Sequence, residues 1–274
     1  MDDYINSDFI NGVGLQVTAD AVIDVNRRDS IDKLPSRAIV WCKTDYIDEF
    51  FHAIRDIDNK IILITHSSDH EIDEEVFSRR PACIKRWFAQ NVNFVHPQLI
   101  PIPIGIENHI GPNKGSSIDI EYIRKSKRNH AVVSKNTGQL YVNFSLQTNK
   151  NRANVRNTIA NRGIGFVDVK RSFADYCDIM KQFLFVASPR GTGIDCHRTW
   201  EALYMGCVPV VEKHAMYNQY RHLPIVQIDD WSTFQMSQLD PYVSSYLAGT
   251  CFSNTKELSL TYWASILQQE KLLL

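Results

Sequence analysis

Short apolar runs and amphipathic stretches alternate along most of the chain. Residues 37–42 and 60–65 are compact apolar runs that predict strands, the second opening into a polar loop at 66–70. Helical spacing marks 46–57 and 82–90, and 95–106 reads as an extended segment broken by prolines. The second half repeats the rhythm, with strands at 139–146, 166–169, 184–187, 208–211 and 225–228 and helices at 152–162, 173–183 and 198–205. A closing helix falls within 255–272, with Leu258, Leu260, Tyr262, Trp263, Ile266 and Leu267 as its apolar residues. Strands alternating with helices indicate βαβ units and parallel sheets, hence an α/β fold. The polar stretch 111–136, rich in Lys, Arg, Ser and Asn, is the natural linker. It divides the chain into a first domain over 1–130, a second over 131–254, and a C-terminal helix over 255–274 that packs back on the first.

Composition narrows the class. Of 274 residues 44% are hydrophobic and 22% charged, which supports a real core and excludes a disordered chain. A net charge of −1 gives no global field for nucleic acid. Residues 1–130 hold 16 Lys+Arg against 20 Asp+Glu and residues 131–274 hold 14 against 11, so the second half is the more hospitable to an anion. The first thirty residues carry Asp2, Asp3 and Asp8 and no apolar core of a secretory signal. No apolar stretch approaches the roughly 20 residues that span a bilayer. A protein without a membrane span, in the cytoplasm, is expected. The six cysteines, at 42, 83, 177, 196, 207 and 251, form no C-x-x-C pair and read as buried thiols rather than zinc ligands or disulfides.

Candidate chemistry concentrates in 185–211, FVASPRGTGIDCHRTWEALYMGCVPVV. A strand runs into a loop containing Arg190, Gly191, Thr192 and Gly193; Asp195 stands where an N-cap belongs; a helix then carries His197, Arg198 and Glu201 in its first turns, and Gly206 marks its end. The glycines let backbone N–H groups approach an anion, the helix N-terminus adds partial positive charge, and Arg190 and Arg198 supply forked donors suited to phosphate. Glu201 lies one turn beyond Arg198 on the same face, placed to accept hydrogen bonds from a ribose. Each feature alone is also ordinary: a Gly turn before a helix, a surface i,i+3 pair. Their joint occurrence at the carboxyl end of a strand favours a nucleotide-diphosphate cradle. Trp200 and Tyr204 read as core aromatics. A dinucleotide site is the rival, because Glu212 follows Gly191 at nearly the Rossmann spacing, but the third glycine position is Cys196.

The run S-P-R-G-x-G-I-D-C-H-R-x-W-E-A-L-x-x-G-C-V-P-V-V resembles the signature of exostosin-type glycosyltransferases, in particular their soluble branch from bacteria and large DNA viruses. Tyr141-Val-Asn-Phe144 with Thr148-Asn149 and Arg152 is similar to the opening of that family's donor domain, and Leu223-Pro-Ile-Val226 followed by Asp229-Asp-Trp231 to its end. Lys43-Thr-Asp45, Thr65-His-Ser-Ser-Asp69, Arg86-Trp-Phe-Ala-Gln-Asn91 and Pro101-Ile-Pro-Ile-Gly105 fit more loosely, and the resemblance covers roughly 37–232. It implies a GT-B fold, two Rossmann-like domains facing across a cleft. It also implies transfer from a UDP-sugar, with UDP-xylose suggested by family analogy, to a hydroxyl of an oligosaccharide or glycan acceptor, with inversion at the anomeric carbon. The paired Glu of many retaining GT-B enzymes is absent, the next Glu after Glu201 being Glu212. Inversion requires a base on the acceptor side; Asp69 is the candidate, with His66 and Asp45 in reserve. The donor-binding set is Arg152, Arg190, Gly191, Thr192, Gly193, Asp195, His197, Arg198 and Glu201. Asp56-Ile-Asp58 has the letters of a metal-binding Asp-x-Asp but precedes its strand, so neither a divalent metal nor another cofactor is expected. An NAD(P)-dependent oxidoreductase and a non-catalytic sugar-nucleotide-binding protein are the alternatives.

Overall fold

The computed structural model describes residues 8–107, 123 and 135–274. The chain is α/β, built on two five-stranded, wholly parallel sheets. The first comprises β1 (Ala21–Ile23), β2 (Arg37–Lys43), β3 (Lys60–His66), β4 (Ile84–Ala89) and β5 (Leu99–Pro101), adjacent in chain order. The second comprises β6 (Asn136–Val142), β7 (Gly165–Val167), β8 (Phe183–Ala187), β9 (Val208–Glu212) and β10 (Val226–Ile228), in the order β10-β9-β8-β6-β7. The linker expected at 111–136 lies almost wholly outside the described residues.

The two orders have different consequences. In the first sheet every step moves the same way, so right-handed crossovers place the connecting elements on one face and leave the other to be covered. Trp87 and Phe88, neighbours on β4, point to opposite faces and show how this is done. Trp87 meets Phe51 of α2 (Ile47–Ala53) and Phe77 of α3 (Glu74–Ser78), at ring separations of 5.5 and 5.8 Å. Phe88 meets Trp263 of the C-terminal helix α8 (Leu260–Leu273) edge-on at 6.5 Å. Lys271 to Asp20 and Arg86 to Glu270, at 2.7 and 2.8 Å, fasten that helix at its rim. With both faces covered, β2 and β3 are apolar on both sides, and Ile39–Cys42 and Ile61–Ile64 are all fully buried.

The second sheet is doubly wound. The chain steps outward from β6 to β7, then crosses back over β6 to β8 and continues the other way to β9 and β10, so the carboxyl ends of β6 and β8 flank a topological switch point, where open α/β sheets bind ligands. Flanking helices are α4 (Arg152–Asn161), α5 (Phe173–Met180), α6 (His197–Tyr204) and α7 (Asp240–Leu247). Near the N-terminus, α1 (Gly12–Val17) leans on α8, and Tyr204 of α6 links the halves by donating to the Leu258 carbonyl and accepting from the Ile10 amide.

Two expectations change. Residues 82–90 are not a helix: 84–89 form β4, hydrogen-bonded between β3 and β5. The apolar positions of that window fit either period, and only the ladder partners on both sides select the strand. The helix expected over 173–183 stops at Met180, so that Phe183 opens β8. The six cysteines are free thiols, five of them buried.

Because α8 seals one face of the first sheet, Trp263→Ala should cost about 3–5 kcal/mol in urea unfolding. A loss under about 1 kcal/mol would show that the helix is dispensable to that face.

Candidate functional site

The Gly-rich loop at the switch point is shaped from below by Arg152. All five of its N–H donors are engaged: Nε with the Arg190 carbonyl at 2.9 Å, Nη1 with Ser145 O and Thr148 Oγ1 at 3.0 and 2.7 Å, Nη2 with Pro189 O and Cys196 Sγ at 2.9 and 3.3 Å. A guanidinium has no more than five, so Arg152 offers nothing to a ligand here. This corrects its assignment to donor binding: it is the buried frame that laces the loop after β6 to the loop after β8. Asn149 Nδ2 reaches Gly191 O at 2.8 Å and Thr192 Oγ1 reaches Thr148 O at 3.0 Å along the same seam. Gly191 and Gly193 are needed for space rather than for a left-handed backbone. A Cβ on Gly191 would stand 3.3 Å from Arg152 Nη2, and one on Gly193 2.8 Å from Asn91 Nδ2.

Helix α6 begins at His197, and its N-cap is Cys196 rather than Asp195. It ends in a Schellman turn, where Gly206 takes φ +65° and the amides of Gly206 and Cys207 bond Leu203 O and Ala202 O. On its open face Arg198 donates Nε to the Asn143 carbonyl at 2.8 Å and lies 5.5 Å from the Phe144 ring centroid. Its Nη1 is buried and has no hydrogen-bond partner among the described residues. Such an unmet donor costs about 1–3 kcal/mol or more for a charged group, and an anion at the switch point would satisfy it. One turn on, Glu201 accepts from the Tyr176 hydroxyl at 3.1 Å, which fixes its carboxylate beside Arg198. His197 donates Nδ1–H to the Gly105 carbonyl at 2.8 Å. Glu212 accepts from the Arg190 amide and from Trp231 Nε1, so the carboxylate that a dinucleotide reading assigns to a ribose is already engaged.

The first half presents its own carboxyl edge. His66, at the end of β3, is buried; Nε2 donates to the Pro103 carbonyl and Nδ1 accepts from Ser67 Oγ, each at 3.1 Å. Burial, with a smaller contribution from nearby His197, lowers its pKa to about 4 and keeps it neutral. His66 therefore has neither an exposed nitrogen nor an uncommitted lone pair, which corrects its place among the bases. Burial pushes the Asp45 carboxyl up, but hydrogen bonds and charge from Ser68 and Lys43 outweigh it and leave the pKa below the ordinary value. Asp69 is exposed at the tip of the 66–70 loop. Asp56 and Asp58 are exposed before β3, at the opposite sheet edge, and no cluster of three potential metal ligands occurs among the described residues.

The two edges meet. Asp195 is buried between them, and its carboxylate accepts from the Ile104 amide of the first half at 2.7 Å and, within the second, from Cys196 N, Trp200 Nε1 and the Tyr217 hydroxyl. Its amide donates to Asn91 Oδ1 at 2.9 Å. Asp195 is thus an inter-half pin rather than a helix cap or donor ligand, and burial raises its pKa to about 7 against the pull of those donors. Arg190 pairs with Glu71 at 2.7 Å, and Asn93 Nδ2 holds the other Glu71 oxygen at 2.6 Å. Tyr220 closes the seam by donating to the Pro101 carbonyl at 2.7 Å. Sequence reasoning missed Asn91, Glu71 and Tyr176 as parts of this site; their partners are about 25 to 119 residues away in the chain, beyond the reach of any local motif.

No family model matches the chain, and neither does any curated protein. Among solved structures it is similar to an α,α-trehalose 6-phosphate synthase from Burkholderia multivorans. The identity is 9% and the TM-score 0.41, over 87% of this chain and 70% of that one. The exostosin resemblance of 185–211 therefore rests on its own residues. Among the described residues no helix is long and apolar enough to cross a membrane.

The buried titratable pair gives a signed prediction. Asp195, with a folded pKa near 7 against 3.8, holds a proton the unfolded chain has lost, so its contribution to stability falls as pH rises from about 4 to 7. His66, near 4 against 6.5, refuses a proton the unfolded chain accepts, so its contribution falls as pH drops from about 6.5 to 4. Relative to wild type, Asp195→Asn should lose Tm, and His66→Gln gain it, as pH is lowered from 7 to 4. Each effect is on the order of 3 kcal/mol. Parallel pH dependences in the two variants would contradict the assignment.

Proposed function

We propose that this protein is a glycosyltransferase of the exostosin type, moving a sugar from a UDP-sugar to a hydroxyl of a glycan acceptor with inversion. The observation that carries the reading is the buried, unpartnered Nη1 of Arg198 at the N-terminal turn of α6, beside the Gly191–Gly193 loop and at the switch point of a doubly wound sheet. A diphosphate completes that guanidinium and also draws on the helix N-terminus. Glu201, braced by Tyr176, takes the ribose hydroxyls. Arg190 can reach the same anion by exchanging its Glu71 partner, a half-exposed ion pair worth at most about 1 kcal/mol.

In the transfer step the acceptor hydroxyl attacks the anomeric carbon from the face opposite the departing UDP. Asp69, an exposed carboxylate on the loop that follows β3, receives the hydroxyl proton. As the glycosidic bond to the acceptor forms and the bond from the anomeric carbon to the β-phosphate oxygen breaks, negative charge grows on the β-phosphate, and Arg198 and the helix N-terminus stabilise it. These groups account for leaving-group stabilisation without a divalent ion. UDP-xylose is the first donor to test.

Calorimetric titration with UDP should show at least a tenfold loss of affinity in Arg198→Ala, with turnover down about 10²–10³-fold. A folded variant that binds UDP as wild type does would overturn the reading. Asp69→Asn should leave UDP affinity intact while slowing transfer about 10²–10⁴-fold; an active Asp69→Asn beside an inactive Asp45→Asn would transfer the base to Asp45. Turnover should survive EDTA, and loss of activity restored by Mg²⁺ or Mn²⁺ would show that the arginine-and-helix account is incomplete.

A further inference from the structure

Asn91 is the residue at which the two edges of the site are joined side chain to backbone in both directions. It is fully buried, yet holds a left-handed backbone with φ +55°, a conformation non-glycine residues seldom adopt. Its side-chain amide is divided between the halves. Nδ2 donates to the Ser68 carbonyl at 3.0 Å, one residue before Asp69, and Oδ1 accepts from the Asp195 amide at 2.9 Å, two residues before His197 opens α6. Gly193 packs so closely on this amide that any side chain there would displace it. Its neighbour Gln90 grips the same loop, accepting from Ser67 N at 2.9 Å and donating to Ser68 O at 3.0 Å, while the Asn91 carbonyl accepts from Ile72 N. Ser67 is itself left-handed at φ +60°. Strain at two buried or half-buried loop positions persists only where surrounding bonds over-determine it, and the side-chain bonds of Gln90 and Asn91 do so here.

Resting on the donor reading above, we infer that Asn91 is a positioning residue that holds the Asp69 loop at a set distance from the donor loop. Occupancy of the diphosphate cradle is thereby transmitted to the base. In-line transfer places the base and the leaving group on opposite sides of one carbon, so their separation must be maintained from outside the reacting atoms. An error of about 1 Å in such an arrangement costs about 10²-fold in rate. Asn91 is the one side chain among the described residues that bonds both the backbone beside Asp69 and the backbone that leads into α6.

The test is Asn91→Gly, which keeps the left-handed backbone without strain and removes both amide bonds. UDP affinity should stay within threefold of wild type while kcat for transfer falls 10- to 100-fold. In the wild type, UDP should slow hydrogen exchange in 66–72 as well as in 189–201; in the variant only 189–201 should respond. Asn91→Asp keeps the acceptor for Asp195 and loses only the bond to Ser68. It should show the same split, and it serves if the glycine variant does not fold. Wild-type kcat with an undiminished response in 66–72 overturns the inference, and so does a parallel fall in kcat and UDP affinity, which marks a merely structural role. A wild type that binds UDP with protection confined to 189–201 overturns the inference alone. One that binds no UDP overturns the donor reading with it.

Discussion

The buried carboxylate of Asp195 is the constraint on which the rest of the site depends. So polar a group is tolerable there only because donors from both halves converge on it: Ile104 N from the first, Cys196 N, Trp200 Nε1 and Tyr217 Oη from the second. Breaking any one leaves a buried carboxyl oxygen underbonded in a dry environment, which is costlier than losing a surface contact. The Gly-rich loop, the start of α6 and the 102–105 segment are therefore positioned together. His66 and His197 reinforce this by donating to the Pro103 and Gly105 carbonyls of that same segment.

Three arginines of the second half illustrate how one residue type divides by environment. Arg152 is spent internally, its five donors exhausted on loop carbonyls, a hydroxyl and a thiol. Arg190 is shared across the cleft with Glu71. Arg198 is braced through Nε alone and keeps a donor in reserve. Rigid frame, exchangeable ion pair and waiting cation are gathered around one loop by the fold, Arg152 coming from 38 residues before Arg190, and only the last has the unsatisfied valence that a ligand requires.

The sheets explain why these groups sit where they do. The doubly wound second sheet opens a crevice between β6 and β8, and α6 points its N-terminus into it. The first sheet, wound in one direction, presents the ends of β3 and β4 to that crevice and leaves a bare face on its far side. Trp263 and the rest of α8 cover that face, so the last segment of the chain completes the first layer of the fold rather than the second.

Much of this was legible in the residues alone. Alternating apolar runs and amphipathic stretches are local properties, and they specified the α/β class, most strands, the helix carrying Arg198 and Glu201, and the buried thiols and aromatics. The loop–helix run 185–211 is contiguous, so its chemistry was readable as a unit. The identity of 84–89 as a strand was not, because its apolar positions satisfy two periods and the choice fell to ladder partners β3 and β5. Nor were the separate fates of Arg152 and Arg198, the burial of His66, or the part played by Asn91. A side chain's free valence depends on what the fold brings against it. For these residues the decisive neighbours come from as far as about a hundred positions away in the chain. The sequence by itself determined which elements form and which groups are available; the tertiary structure alone decided which of those groups are already engaged with one another and which remain for a ligand.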